Sequence, residues 1–485
     1  MKQIMIFAAA CAILACQTIM PAANKKGTDI KSAVVRIEVV SQKPSYNDPW
    51  KMNTTRNGSG SGCVVAGERI LTNAHVVSDR KFIQVQKAGD VTKYEAEVEF
   101  VAHDCDLALL NVKDPEFFEG VTPIELGGIP AESDRVTAYG FPAGGSKISI
   151  TQGVVSRIEL KRYSHSMESS LAVQIDAALN PGNSGGPVIQ EGRLVGIAFE
   201  VRSNSENTGY MIPVPVIQHF FKDIKDGRYD CVPDLRGFYQ SIENPAMRSA
   251  LKLKDKRNGV LIINLSYGTT LWDVLRTGDV LLSMDGVPIA SDGTIEFVNN
   301  DRIDFTYLIS LHQMGDEIEL TFLREGEVLR ERVRLRKEPP LVAAPVFDTK
   351  PAYFIFSGLL FMPLTWDYLQ TWGKDGPPSK LDVLEKSGKV EKDKSQVVLL
   401  TKVLAHEVNQ GYQDITDVIV LRVNGQAIGS IADLPGAFAK AKEGFHIVDL
   451  DEGGRIILDA AAAEKAHQEI LARYSVPTDR SEDLK

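Results

Sequence analysis

Between Ser32 and Pro213 the chain is a succession of short, β-rich apolar runs, each closed by Gly, Pro, Asn or Asp. "AVVRIEVV", "KFIQVQ", "EAEVEFVA", "LALLNV", "RVTAYGF", "LAVQIDA" and "TGYMIPV" are seven of them. Many short strands at such spacing predict an all-β barrel or sandwich. The period then changes. In "VPVIQHFFKDIKDG" the residues Val214, Ile217, Phe220, Phe221 and Ile224 fall at helical spacing, which predicts an amphipathic helix closing the domain.

A chain of 485 residues has room for about three domains. Beyond the helix, "TGDVLLSMDGVPIAS" (Thr277–Ser291) is echoed by "ITDVIVLRVNGQAIGS" (Ile415–Ser430). Each copy is an apolar strand, an Asp-Gly or Asn-Gly turn and a second apolar pair, followed by helical spacing. The proline-rich "KEPPLVAAPVFDTKP" between them reads as a connector. The expected organisation is a β-barrel domain over 30–228, a first module over 229–337, a linker over 338–351, a second module over 352–472 and a loose tail over 473–485.

The net charge of −10 opposes a nucleic-acid role, which needs a basic footprint. Three cysteines outside the leader, Cys63, Cys105 and Cys231, form neither a disulfide framework nor a metal-ligand spacing, and no metal or cofactor is implied. Residues 1–23 read as a secretory signal: Lys2, then an apolar run from Ile4 to Ala15 too short to span a bilayer. "ILAC" at Ile13–Cys16 resembles a lipobox, which would end the signal at Ala15 and lipidate Cys16; ordinary cleavage near Ala22–Ala23 is the alternative.

The chemistry is concentrated in three segments. "NPGNSGGPV" (Asn180–Val188) sets Ser184 among glycines. A serine hydroxyl becomes a nucleophile only when a base takes its proton and an acid holds that base in the right tautomer. His75, in the turn of "RILTNAHVV", and Asp106, directly before the apolar strand of "HDCDLALLNV", meet that requirement. Their order, His75, Asp106, Ser184, is that of chymotrypsin. Asp104 is the competing acid. Asp176 is read as structural. His103, His165, His219, His312, His406, His446 and His467 stand in no matching context.

"LTNAHVV", "DLALL" and "NPGNSGGPV", extended by "GVVSRIE" and "VGIAF", resemble the catalytic segments of the HtrA/Deg serine proteases, and the two following modules resemble the PDZ domains those proteases carry. "WDVLRTGDVLLSMDGVPIASDGTI" and "PAYFIFSGLLF" are similar to the branch best known from plants. The resemblance implies a mainly β, multidomain fold: a chymotrypsin-like double β-barrel followed by two PDZ-like α+β modules. It implies an oxyanion hole at Gly182, Asn183 and Ser184, a primary pocket at Ala198, Phe199 and Tyr210 suited to small or medium apolar side chains, and peptide contacts at Gly259, Val260, Leu261 and Ile262 of the first module. The second module departs from the peptide-binding pattern. Substrates would be unfolded or damaged proteins, peptide C-termini or strands would dock on the first module, and the chain would form homo-oligomers. The leader suggests a bacterial periplasmic or envelope location, with any membrane contact through the lipid. The rival reading is a peptide-binding chaperone or scaffold whose protease fold is held inactive. The segment "SQKPSYNDPWKMNTTRNGSGSG" is read as a loop, regulatory or merely flexible.

Overall fold

The computed structural model describes residues 29–485 apart from 143–144, 202–208, 236, 254–257 and 338. The leader read as a secretory signal, with Cys16, lies outside the described residues. Strands β1 (Val34–Ser41), β2 (Arg56–Val65), β3 (Arg69–Thr72), β4 (Arg80–Lys87), β5 (Tyr94–Ala102) and β6 (Leu107–Val112) close a barrel in the order β1-β2-β3-β6-β5-β4. Strands β7 (Arg135–Gly140), β8 (Ser149–Arg162), β9 (Ser169–Ile175), β10 (Pro187–Gln190), β11 (Arg193–Val201) and β12 (Gly209–Pro213) close a second, in the order β10-β11-β12-β9-β8-β7. Closure pairs every strand edge. Alternation fills the interiors: in β1, Val35, Ile37 and Val39 are buried while Arg36 and Glu38 between them stay partly exposed. Strand β6 is buried on both faces from Leu107 to Leu110, so the residue before it starts inside the molecule. Helix α1 (Ala74–Val77) is one turn; α2 (Val214–Asp223) buries Val216, Ile217 and Phe220 and closes the second barrel, as its periodicity predicts.

The first module is a sheet in the order β13-β14-β15-β19-β20, built from β13 (Gly237–Ser241), β14 (Val260–Leu265), β15 (Val280–Met284), β19 (Glu317–Arg324) and β20 (Glu327–Arg334). Strand β16 (Val287–Pro288) pairs with β15, and β17 (Thr294–Glu296) with β18 (Arg302–Asp304). The second module has the order β21-β22-β23-β24-β26-β27, from β21 (Phe354–Phe356), β22 (Leu359–Pro363), β23 (Val398–Val403), β24 (Val418–Val423), β26 (Phe445–Leu450) and β27 (Arg455–Asp459), with β25 (Gln426–Ala427) on β24. The sequence echo is a shared hairpin: Asp285–Gly286 joins β15 to β16, and Asn424–Gly425 joins β24 to β25.

Three expectations change. The glycine-serine run is not loop: residues 56–62 form much of β2, from Ser41↔Arg56 to Val35↔Gly62. The shortened loop docks on the second module, where Trp50 meets Tyr353 edge-on at 6.0 Å and Lys402 Nζ donates to the Asn47 carbonyl and Asp48 carboxylate, both at 2.9 Å. The linker buries Leu341 and Val342. The tail is ordered by an edge strand: β21 needs a partner on its outer side, and Ile355 N–H donates to the Asp479 carbonyl at 2.7 Å while Tyr353 N–H donates to Ser481 Oγ at 3.0 Å.

Candidate active site

Strand pairing brings the base to the acid. The register Thr72↔Ala108 sets the end of β3 beside the start of β6, so the turn after β3 meets the turn before β6. Asn73 Nδ2 donates to the Asp106 carbonyl at 2.9 Å. Both carboxylate oxygens of Asp106 face His75: Oδ1 accepts from the His75 backbone N–H at 2.8 Å, and Oδ2 lies 2.7 Å from Nδ1. Asp106 is 1% exposed and sits at φ +55°, a left-handed conformation costly for a residue other than glycine. Burial pushes its carboxyl up; the His75 charge and hydrogen bonds outweigh that, so the group is held below its ordinary range.

The serine comes from the other barrel. Asn180–Asn183 is a β-turn closed by the Asn183 N–H on the Asn180 carbonyl at 2.9 Å, with Gly182 at φ +100°. Ser61 locks the two barrels together here. Its Oγ donates to the Gly182 carbonyl at 2.7 Å, and its N–H donates to the Ser184 carbonyl at 2.8 Å. Its own carbonyl accepts from Thr72 Oγ1 at 2.7 Å, three residues before His75. Ser184 Oγ donates to the Phe199 carbonyl at 3.4 Å. Ser61 is fully buried, and nothing in the sequence marks it apart from its neighbours in "SGSG".

Gly185 follows at φ +84°, and a Cβ on it would stand 2.0 Å from the Ser61 carbonyl and 2.2 Å from Thr72 Oγ1. Overpacking plus left-handed strain makes Gly185→Ala destabilising by roughly 2–5 kcal/mol. A thermal melt of that variant should show a markedly lowered Tm; an unchanged Tm would mean the serine turn is not clamped against β2 and β3.

The Asn183 N–H, expected beside the oxyanion, is already spent within its turn. Among the described residues the N–H groups of Gly182 and Ser184 have no hydrogen-bond partner. The pocket residues are largely committed elsewhere. Ala198 is 1%, Phe199 6% and Tyr210 2% exposed. Phe199 lies 4.5 Å from the Tyr163 ring, and the Tyr210 hydroxyl lies within hydrogen-bonding distance of both Glu159, at 3.1 Å, and Gln174, at 3.2 Å. Asp176 Oδ1 accepts from the Val154 N–H at 2.5 Å, the structural role the sequence suggests.

Two histidines set aside by sequence reasoning, His165 and His103, pack together, the first of them beside His75. His165, between β8 and β9, has its ring 6.1 Å from that of His75 and its Nε2 3.0 Å from His103 Nδ1. The linker residue Phe347 stacks on both, at 4.0 Å from His165 and 4.6 Å from His103. Asp348 beside it contacts His103 at 3.2 Å and Arg80 at 2.7 Å. Burial, against the pull of Asp106, brings His165 down to about 4, so it is neutral near pH 7.

Residues 60–197 match the trypsin-like peptidase domain model and residues 342–483 the PDZ domain model. Protease Do-like 4, mitochondrial, of Arabidopsis thaliana is 36% identical over 92% of this chain and 84% of its own length. Protease Do-like 2, chloroplastic, of the same plant is 37% identical over 93% and 75%. The chain belongs to the HtrA/Deg family of serine proteases. It is a serine endopeptidase on that ground, and the double barrel with β-rich PDZ modules is the expected fold. A solved structure titled "HtrA-type protease AlgW with tripeptide" shares the fold, with TM-score 0.50 and 23% identity over 64% of this chain and 95% of that one. The organellar names of these relatives overturn the expectation of a bacterial periplasmic or envelope location, which rested on the signal-like leader and its lipobox-like "ILAC".

The peptide-contact strand of this HtrA/Deg chain also needs correction. Strand β14, with Gly259 just before it and Val260, Leu261 and Ile262 at its start, has no free edge: β13 covers one side and β15 the other. Val260 and Ile262 are buried core residues. The sheet ends in β20 on one side; on the other, beside β14, the open edge is that of β13. It borders a cavity of about 360 Å³ walled by Gly237, Phe238 and Tyr239 on one side and the short helix Phe305–Leu311 on the other. The glycine of "NGVLIINL" advertised a loop, but which strand ends the sheet is set by pairing order.

Proposed function

We propose that His75, Asp106 and Ser184 are the triad of this protease. The observation that carries it is the grip of Asp106, buried and ionised, on both the backbone and the ring of His75. Ser184 Oγ attacks the peptide carbonyl as His75 takes its proton; Asp106 fixes the tautomer and stabilises the imidazolium. The tetrahedral oxyanion is received by the N–H groups of Gly182 and Ser184. His75 then protonates the leaving amine, and water repeats the sequence on the acyl-enzyme. Unfolded polypeptides are the substrates, in a homo-oligomer within a mitochondrion or plastid, and the cut falls after small or medium apolar side chains; family membership supports the substrates and the assembly, the relatives' names the organelle, and the apolar Ala198, Phe199 and Tyr210 the preference. A fluorophosphonate probe tests the triad. Labelling should map to Ser184; its absence even with added peptide would favour a scaffold.

Apolar C-terminal peptides add to the free edge of β13, their side chains facing the helix Phe305–Leu311. Phe238, 49% exposed at the cavity, then matters, and Ile263 on β14, 44% exposed, does not. By fluorescence polarisation Phe238→Arg should weaken such a peptide by about tenfold or more. Ile263→Arg should leave it within about twofold. The reverse ranking would return the site to β14.

A further inference from the structure

The turn that ends in Asp106 holds a second buried carboxylate that the hydrolytic chemistry does not use. An alternating strand would point Asp104 and Asp106 the same way. Residues 103–106 form a turn instead, and the two diverge. The Asp104 side chain is 10% exposed. It accepts from Tyr229 Oη at 2.6 Å, from the Val232 N–H at 2.8 Å and from Lys337 Nζ at 3.3 Å. Tyr229 and Val232 lie on the segment leading from the barrels into the first PDZ module. Lys337 lies just past β20, where the chain leaves that module, and its side chain is 19% exposed. Both crossings of the domain boundary thus meet on one carboxylate. Burial disfavours charge on both partners, yet the Asp104 carboxyl is lowered and the Lys337 ammonium raised, chiefly by each other's charge, so the pair is ionised. The turn is braced further by Ser166 Oγ on the Asp104 carbonyl at 2.9 Å.

We infer that Asp104 is a positioning residue: with Lys337 and Tyr229 it ties the turn bearing the triad acid to the root of the first PDZ module, so that Asp106 is set correctly only when that root is docked. The inference rests on the triad reading above. Removing either partner strands the other charge in a low-dielectric site and frees the turn. A catalytic group displaced by a fraction of an ångström loses rate rather than ground-state binding.

The test is the kcat of the full chain on a short chromogenic peptide, normalised to sites titrated with fluorophosphonate. Lys337→Met and Asp104→Asn should each lower kcat about tenfold with KM within about twofold, and the double variant should be no worse than the poorer single. Lys337→Arg should recover most of the rate. Should Lys337→Met misfold, Tyr229→Phe removes one donor to Asp104 and is expected to lower kcat about threefold. Titrated Lys337→Met or Tyr229→Phe turning over at the wild-type rate would overturn the inference, as would single effects that multiply in the double variant. Wild-type protein that hydrolyses the substrate without labelling at Ser184 would remove the triad reading, and this inference with it.

Discussion

Ser184→Ala is expected to lower kcat by about 10⁶-fold, to a residue of catalysis supplied by the oxyanion donors and substrate binding alone. The fold should survive. Ser184 anchors its turn through its backbone carbonyl, which accepts from the Ser61 N–H at 2.8 Å, and among the described residues its hydroxyl makes one long bond, of 3.4 Å, to the Phe199 carbonyl. Alanine keeps the first and loses little with the second. The thermal melt should therefore stay within about 1 kcal/mol of wild type. Casein hydrolysis by this variant at even a hundredth of the wild-type rate, in preparations freed of contaminating protease, would mean another nucleophile.

Asp106→Asn carries the second largest effect, about 10⁴-fold in kcat. The carboxylate accepts at both oxygens, from the His75 backbone and from the ring. An amide has one acceptor. If its oxygen keeps the backbone N–H, its NH₂ group faces Nδ1 and holds the ring with its proton on Nε2, where it cannot accept from Ser184. Kinetics of the purified variant should show the loss in kcat with little change in KM. The same change should alter acid stability. A carboxyl lowered on folding contributes stability that is complete above the unfolded value of about 3.9 and is lost as pH falls through the native value. Asp106 is such a group. In Asp106→Asn that part of the loss disappears, so its unfolding free energy should fall less steeply below pH 4 than wild type. Parallel acid profiles would indicate that Asp106 is not charged in the native state.

The proposed triad is legible in the sequence because each member sits at the end of an element whose pattern is local: His75 after an apolar strand, Asp106 before one, Ser184 in a glycine turn. Pairing then does the rest. What could not be read were contacts set by how separately folded pieces pack. Ser61 bridges two barrels through its hydroxyl and its backbone N–H. His165 comes beside His75 on the turn between β8 and β9, and Phe347 stacks on His165 and His103 from beyond the first PDZ module. Asp104 looked like a rival to Asp106 because strand alternation was assumed where the chain turns. The β14 assignment failed for a related reason. A glycine before an apolar run identifies a loop and a strand, whereas an available edge is a property of the whole sheet. The tail looked loose from its polar composition, but β21 supplied it with backbone partners.

The central claim is a covalent one, and intact-mass analysis of a quenched reaction tests it most directly. With a slowly deacylating ester substrate, acid quenching in the first turnovers should trap one acyl group per chain, and peptide mapping should place it on the fragment Asn180–Val188 at Ser184. Turnover with no acyl adduct, or with the acyl group on any other residue, would contradict the account.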